Sequence, residues 1–244
     1  MKKSMLFLVC CALAATTFAQ AQWGSKDKIK GNGQNTTETR TTASYDEIAI
    51  VGFFDVDLVA GTEGKITLEG ESNLLPLIKI EVDGNTLKIY TDKNSSFHSS
   101  GRNSIRITVP FETLNKISLT GSGDVSSKNT IKTSRFVVQL SGSGDMDLDL
   151  DATETELSLS GSGDVVLKGN TDTLTTAVSG SGDINASNCK AKNVNLSISG
   201  SGDCTVFCTD NLKARVSGSG DIQYKGDPKT KDTKVSGSGT ISKG

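Results

Sequence analysis

A single histidine, His98, serves all 244 residues, and only 5% of the chain is aromatic. With so few large rings, Val, Ile and Leu must build the core, which suits thin stacked β-layers better than a thick globular interior. His98 sits in the loop-like stretch Asn94-Ser95-Ser96-Phe97-His98-Ser99-Ser100-Gly101. There a solvated side chain is a better reading than the base of a Ser/His/Asp triad. Beyond the N-terminal segment no run reaches the roughly 18 apolar residues of a membrane-spanning helix. The net charge is −2 and no basic run occurs, which argues against a nucleic-acid partner. No Gly-rich segment has the G-x-x-x-x-G-K-[ST] spacing of a phosphate cradle or opens a helix. Cys204 and Cys208 lack the second Cys/His pair of a zinc site. No cofactor is implied.

The N-terminus has a recognisable function of its own. Lys2 and Lys3 precede an apolar run from Met5 to Ala15, and small residues lead to Ala19 and Ala21 in an A-x-A pattern. This is the form of a secretory signal peptide over residues 1–21, cleaved after Ala19 or Ala21. Cys10 and Cys11 lie within the apolar run, without the small preceding residue that a lipidated cysteine usually has. The expected location is therefore outside the cytoplasm, in the periplasm, on the outer-membrane surface or secreted. Residues 22–42 are polar and rich in Thr, Lys and Gly, and they read as a disordered lead.

What the chain has in abundance is a repeat. Gly-Ser-Gly begins at Gly121, Gly142, Gly161, Gly180, Gly200, Gly218 and Gly237, at intervals of 21, 19, 19, 20, 18 and 19 residues. Asp follows in six copies, as Asp124, Asp145, Asp164, Asp183, Asp203 and Asp221, and Thr240 replaces it in the last. Two residues before the first Gly stand Leu119, Leu140, Leu159, Val178, Ile198, Val216 and Val235. Directly after the Asp come Val125, Met146, Val165, Ile184, Cys204 and Ile222. These apolar positions share a parity with the two glycines, while Ser and Asp take the other. Period two is the mark of a strand with one buried face. A unit this small cannot bury its apolar face alone, so the copies must stack. The expectation is an all-β fold, a parallel β-solenoid with turns of about 19 residues over 115–241. The glycines stand at inward positions where no side chain is tolerated, at a bend or against a facing backbone.

Residues 43–114 are β-rich but less regular, with strands predicted at 64–69, 77–82, 86–91 and 104–109 and a turn at Asp83-Gly84-Asn85. Gly52-Phe53-Phe54-Asp55-Val56 is a degenerate Gly-Ser-Gly-Asp-Val, with Phe54 at the second Gly. This part reads as the divergent capping end of one domain, 43–241. Two features together carry a resemblance. The first is the N-terminal pattern Tyr45…Ile48-x-Ile50-x-Gly52-x-Phe54-Asp55-Val56-x-Leu58, Asp83-Gly84-Asn85-x-Leu87-x-Ile89 and Ile107-x-Val109-Pro110…Leu114. The second is the Gly-Ser-Gly-Asp series that follows it. Over about residues 43–241 the chain resembles the "putative auto-transporter adhesin, head GIN domain" family. The resemblance implies an exported, envelope-associated β-helical protein, and it brings no catalytic residues.

Three groups of residues are candidates for chemistry. Asp124, Asp145, Asp164, Asp183, Asp203 and Asp221 would stack in register. Neighbours about 4.8 Å apart repel by roughly 0.9 kcal/mol even in water, so something must compensate. A calcium ladder is one answer. The favoured one is that each Asp accepts hydrogen bonds from Ser hydroxyls and backbone N–H groups at its own bend. The outward rows headed by Thr120 and Ser122 offer a flat hydroxyl face to a repetitive ligand, a glycan or another envelope protein, although Ser also simply fits a tight bend. Cys189 and Cys208, 19 residues apart, are a disulfide candidate with Cys204 left as a buried thiol. The reading is a non-enzymatic, adhesin-like binding or structural protein; the alternative is a polysaccharide-active enzyme on a β-helix. Only Ser242, Lys243 and Gly244 follow the last turn, so self-association through uncapped ends is a further expectation.

Overall fold

The computed structural model describes residues 29–92, 97–101 and 104–244; the expected signal peptide lies outside them. No α-helix occurs among these residues, and one short 3-10 turn, Leu75–Leu77, interrupts the strands. The strand ending in each first glycine pairs in parallel with its counterpart one repeat away. Lys116–Gly121 pairs with 137–142, and the ladder continues through 156–161, 175–180, 195–200 and 213–218 to Thr230–Gly237. The segments following each Asp form a second parallel ladder, from Val125–Ser127 to Ile241–Lys243. Burial alternates along each coil but slips phase, as at Ser187–Asn188 and Lys192–Asn193, where adjacent residues both face away from the core. These slips mark bends within the coil besides the one at the glycines. The fold is the expected parallel β-solenoid with turns of roughly 19 residues.

Leu119, Leu140, Leu159, Val178, Ile198 and Val216 form one buried column, each at most 2% exposed. Val235, expected in the same column, is 41% exposed. Its coil is the last of the described ones, and no described strand pairs with its outer side.

The N-terminal part caps the rod, but its order in space is not its order in sequence. Glu47–Gly52 lies between Thr86–Thr91 and Lys116–Gly121, parallel to both. Asp55–Ala60 likewise lies between Arg106–Phe111 and Val125–Ser127. Ile78–Asp83 turns back antiparallel on Thr86–Thr91 through Gly84-Asn85, with Gly84 at φ +63°. Lys65–Glu71 runs antiparallel to Arg106–Phe111. The family pattern has a structural meaning here: buried Tyr45 donates its hydroxyl proton to the Pro110 carbonyl.

Two expectations require correction. The lead 22–42 is not a disordered tail over its described part. Asn35–Thr41 pairs antiparallel with Lys65–Glu71, and Ile29–Lys30 pairs with Phe97–His98. A solvated outer strand needs only backbone partners and an anchor, and Arg40 supplies one by donating to the carbonyls of Leu75 at 2.8 Å and Ile78 at 2.5 Å. The second concerns Cys189 and Cys208, which are both buried free thiols, as is Cys204. The ladder register shifts between Ala186 and Lys190, so Cys208 faces Ala191 while Cys189 faces Gly169 in the preceding coil. Equal spacing in sequence did not survive this bulge. Burial raises the pKa of all three thiols, that of Cys189 to about 12 with Asp149 adding to it.

Candidate functional site

The Gly-Ser-Gly-Asp corner is the unit from which the exposed face is built. Its first glycine adopts φ between +129° and +145° from Gly121 to Gly237, a region closed to most L-residues. Close approach is the second constraint. A Cβ on Gly142 would lie 2.1 Å from the Gly121 carbonyl oxygen, and one on Gly144 2.0 Å from that of Gly123. The glycines therefore pack on the glycines of the preceding coil. At the head end, a Cβ on Gly123 would meet the Phe54 backbone, whose buried ring covers Gly52 and closes the column.

The aspartates complete the corner's hydrogen bonding. The Asp164 N–H donates to Asp145 Oδ1 at 2.9 Å and the Asp183 N–H to Asp164 Oδ1 at 3.0 Å. The same bond joins Asp145 to Asp124, Asp203 to Asp183 and Asp221 to Asp203, at 3.1, 2.7 and 2.8 Å. Each carboxylate thus accepts a backbone N–H, as expected. The donor, however, belongs to the next coil, not to a serine hydroxyl of the same bend. The side chain takes the place of a ladder carbonyl where the chain turns and an N–H would otherwise go unpaired. With one oxygen so engaged and one carboxylate per coil, the row does not converge on a point. Among the described residues no group of three His, Cys, Asp or Glu side chains is gathered closely enough to hold a metal ion.

Beside this row the serines face solvent. Ser141, Ser160, Ser179 and Ser199 line a shallow groove of about 570 Å³ that crosses the coils, with Ser118, Ser158 and Ser197 on the adjacent row. The face changes character at the head. Val51 stands in register with Thr120, and Phe53 takes the place of Ser122; they are 50% and 42% exposed. The Phe53 and Phe97 rings lie 4.9 Å apart. His98 is in the short strand that meets Ile29–Lys30, and its carbonyl accepts the Gly31 N–H at 2.9 Å.

One charged residue in the head gave no sequence signal. Glu71 is buried at 1% exposure. Its carboxylate accepts the Ser99 hydroxyl at 2.5 Å, the Ser100 N–H at 2.7 Å and the Gly33 N–H. The Ser99 and Gly33 bonds lead in holding its pKa at about 2. Its three donors are distant in sequence, so only the fold brings them together.

Stacked coils presenting one corner over and over define a β-solenoid with a repetitive outer surface. The chain belongs to the "Putative auto-transporter adhesin, head GIN domain" family, whose pattern matches residues 44–228. Its fold is shared by a "putative adhesin" from Bacteroides fragilis, 29% identical, with a TM-score of 0.80 over 88% of this chain and 99% of that one. A "putative lipid binding protein" from Parabacteroides distasonis is 29% identical, with a TM-score of 0.74 over 89% and 99% of the two chains. A "putative adhesin" from the same species is 26% identical, with a TM-score of 0.73 over 89% and 100%. No curated protein matches the chain. No helix among the described residues is long and apolar enough to cross a membrane.

Proposed function

We propose that the protein is an exported, envelope-associated binding or structural protein of the adhesin type, without catalytic activity. The observation that carries this reading is the repetition of one outward corner at every coil. Successive copies of a strand-paired unit lie about 4.8 Å apart. A surface of identical weak contacts in a fixed row gains by multivalency on an extended or repetitive ligand, because each further contact is intramolecular once the first is made. The family and the adhesins of the same fold support it. The signal-peptide pattern of residues 1–21 supports export.

The test has two arms. Cell fractionation with protease access to intact cells should find the protein outside the cytoplasm. The purified protein should bind on a glycan array, or to intact cells, without releasing reducing sugar. Release of reducing sugar would establish the polysaccharide-enzyme alternative. Binding to phospholipid vesicles alone would move the reading toward the lipid-binding relative.

A further inference from the structure

The two ends of a solenoid face the same hazard, an open row of backbone N–H and C=O groups above an exposed core, ready to stack on another copy. At the head, extra antiparallel strands and the Phe54 ring meet it. At the far end no other described strand pairs with the outer side of Thr230–Gly237 and Ile241–Lys243, whose partners lie on their inner side. Within this last coil, however, three inward positions change character, while Val235 and Ile241 stay apolar. One column reads Leu174, Val194, Leu212 and then Lys231. Another reads Ala186, Val206, Tyr224 and then Lys243. Thr233 follows Leu196 and Ala214 in a third. The Lys231 ammonium lies 5.7 Å from the centre of the buried Tyr224 ring, so its stem covers the end of the core. Lys243 is held by Asp227 at 2.5 Å.

The corner of this coil carries a second, independent change. In every earlier copy the Asp carboxylate serves the N–H of the coil that follows it. Where Thr240 replaces Asp, no carboxylate is offered. Thr240 instead gives both its N–H, at 2.7 Å, and its hydroxyl, at 3.0 Å, to Asp221 behind it. The outward side of the last corner thus lacks the carboxylate that meets the following coil at every earlier corner.

We infer that the last coil is a built-in stop. Lys231, Lys243 and Thr240 end the stack from within the repeat and prevent end-to-end assembly with a second copy. A copy docked on this end would bury two lysine charges against its own apolar columns, or against the same lysines if the ends met symmetrically. Desolvating the Lys231 charge, which no carboxylate pairs among the described residues, and the Lys243–Asp227 ion pair disfavours either arrangement. Interaction surfaces then lie on the sides of the rod or at its head.

The experiment compares the purified protein with K231L/K243L by sedimentation velocity over a wide concentration range. The unaltered protein should remain a monomer. The double variant should show a concentration-dependent rise of about twofold or more in apparent mass. K234L controls for general stickiness: it adds the same apolar group to the same strand at an outward position, and it should stay monomeric. Circular dichroism melts check that each variant is folded. K231M/K243M, which keeps the unbranched stem length, replaces the leucine variant if that one unfolds. A folded double variant that stays monomeric would overturn the inference. So would crosslinking between copies of S236C in which Lys231 and Lys243 are kept.

Discussion

The Gly-Ser-Gly-Asp coils and the head solve one problem by opposite means. In the coils, each residue's environment is set by the equivalent residue one repeat away, so Gly packs on Gly and Asp bonds to Asp. In the head, the partners are chemically unlike and far apart in sequence: Tyr45 with Pro110, Glu71 with Gly33 and Ser100, Phe54 beneath Gly52. The coils hold together by periodicity, the head by individual side chains. Damage to a coil corner should therefore be a backbone collision. Damage to the head should be the loss of one particular anchor.

The largest effect should come from Gly163→Val. The new Cβ would sit 1.9 Å from the Gly144 carbonyl oxygen, which is backbone and cannot swing aside. A loss above about 4 kcal/mol, or no soluble folded protein, is expected. A thermal melt within a few degrees of the unaltered protein would show that the corners are looser than described. Next is Phe54→Ala, which opens a cavity at the head end of the glycine column. A loss of about 3–5 kcal/mol by denaturant titration is expected, and a value below about 1 would mean that the ring is not the plug.

A smaller effect separates the two oxygens of the ladder. Asp164→Ala leaves the Asp183 N–H without its acceptor and should cost about 1 kcal/mol. Asp164→Asn keeps an acceptor oxygen and should lie nearer the unaltered protein. Melts in EDTA and in excess Ca²⁺ should coincide; a rise with Ca²⁺ that Asp164→Asn abolishes would return the ladder to a metal role.

The smallest effect concerns the arm at residues 29–34. The folded protein holds the Glu71 pKa at about 2, below its usual 4.5, so the ionised form favours the docked arm. That contribution is full above about pH 4.5, fades as pH falls and is gone below about 2. Protection of the Gly33 and Ser100 amides against hydrogen exchange, corrected for the intrinsic rate at each pH, should fall over this window while that of the coils holds. Glu71→Gln should show the faster exchange already at neutral pH.

The coils were legible because period two and a period of about 19 coincide on the same residues. That coincidence fixed which side chains face in, and with it the fold, the six buried members of the Leu119 column and the backbone partnership of the aspartates. The misses fall where the period is locally broken. Cys189 and Cys208 keep the interval of 19, but the bulge between Ala186 and Lys190 moves one past the other. Val235 keeps its parity and lacks a neighbour. In the head, composition marked residues 35–41 as polar, yet a solvated outer strand is polar on most of its surface and is held by backbone bonds that composition does not report. The order of the head strands was equally hidden, because Glu47–Gly52 pairs on both sides with strands that follow it in the chain.

The carboxylate that reaches from one coil to the next gives the rod a direction. A finished corner holds out its Asp carboxylate toward the C-terminal side, while the backbone carbonyl of the same Asp accepts from the head side. Each coil's carboxylate thus meets its successor, and the series begins at the head, where Phe54 closes the glycine column. In a chain threaded outward from its N-terminus, the part that emerges first is the part able to seed the rest. The structure is then laid down in the order of its delivery, like courses of brick on a footing already set.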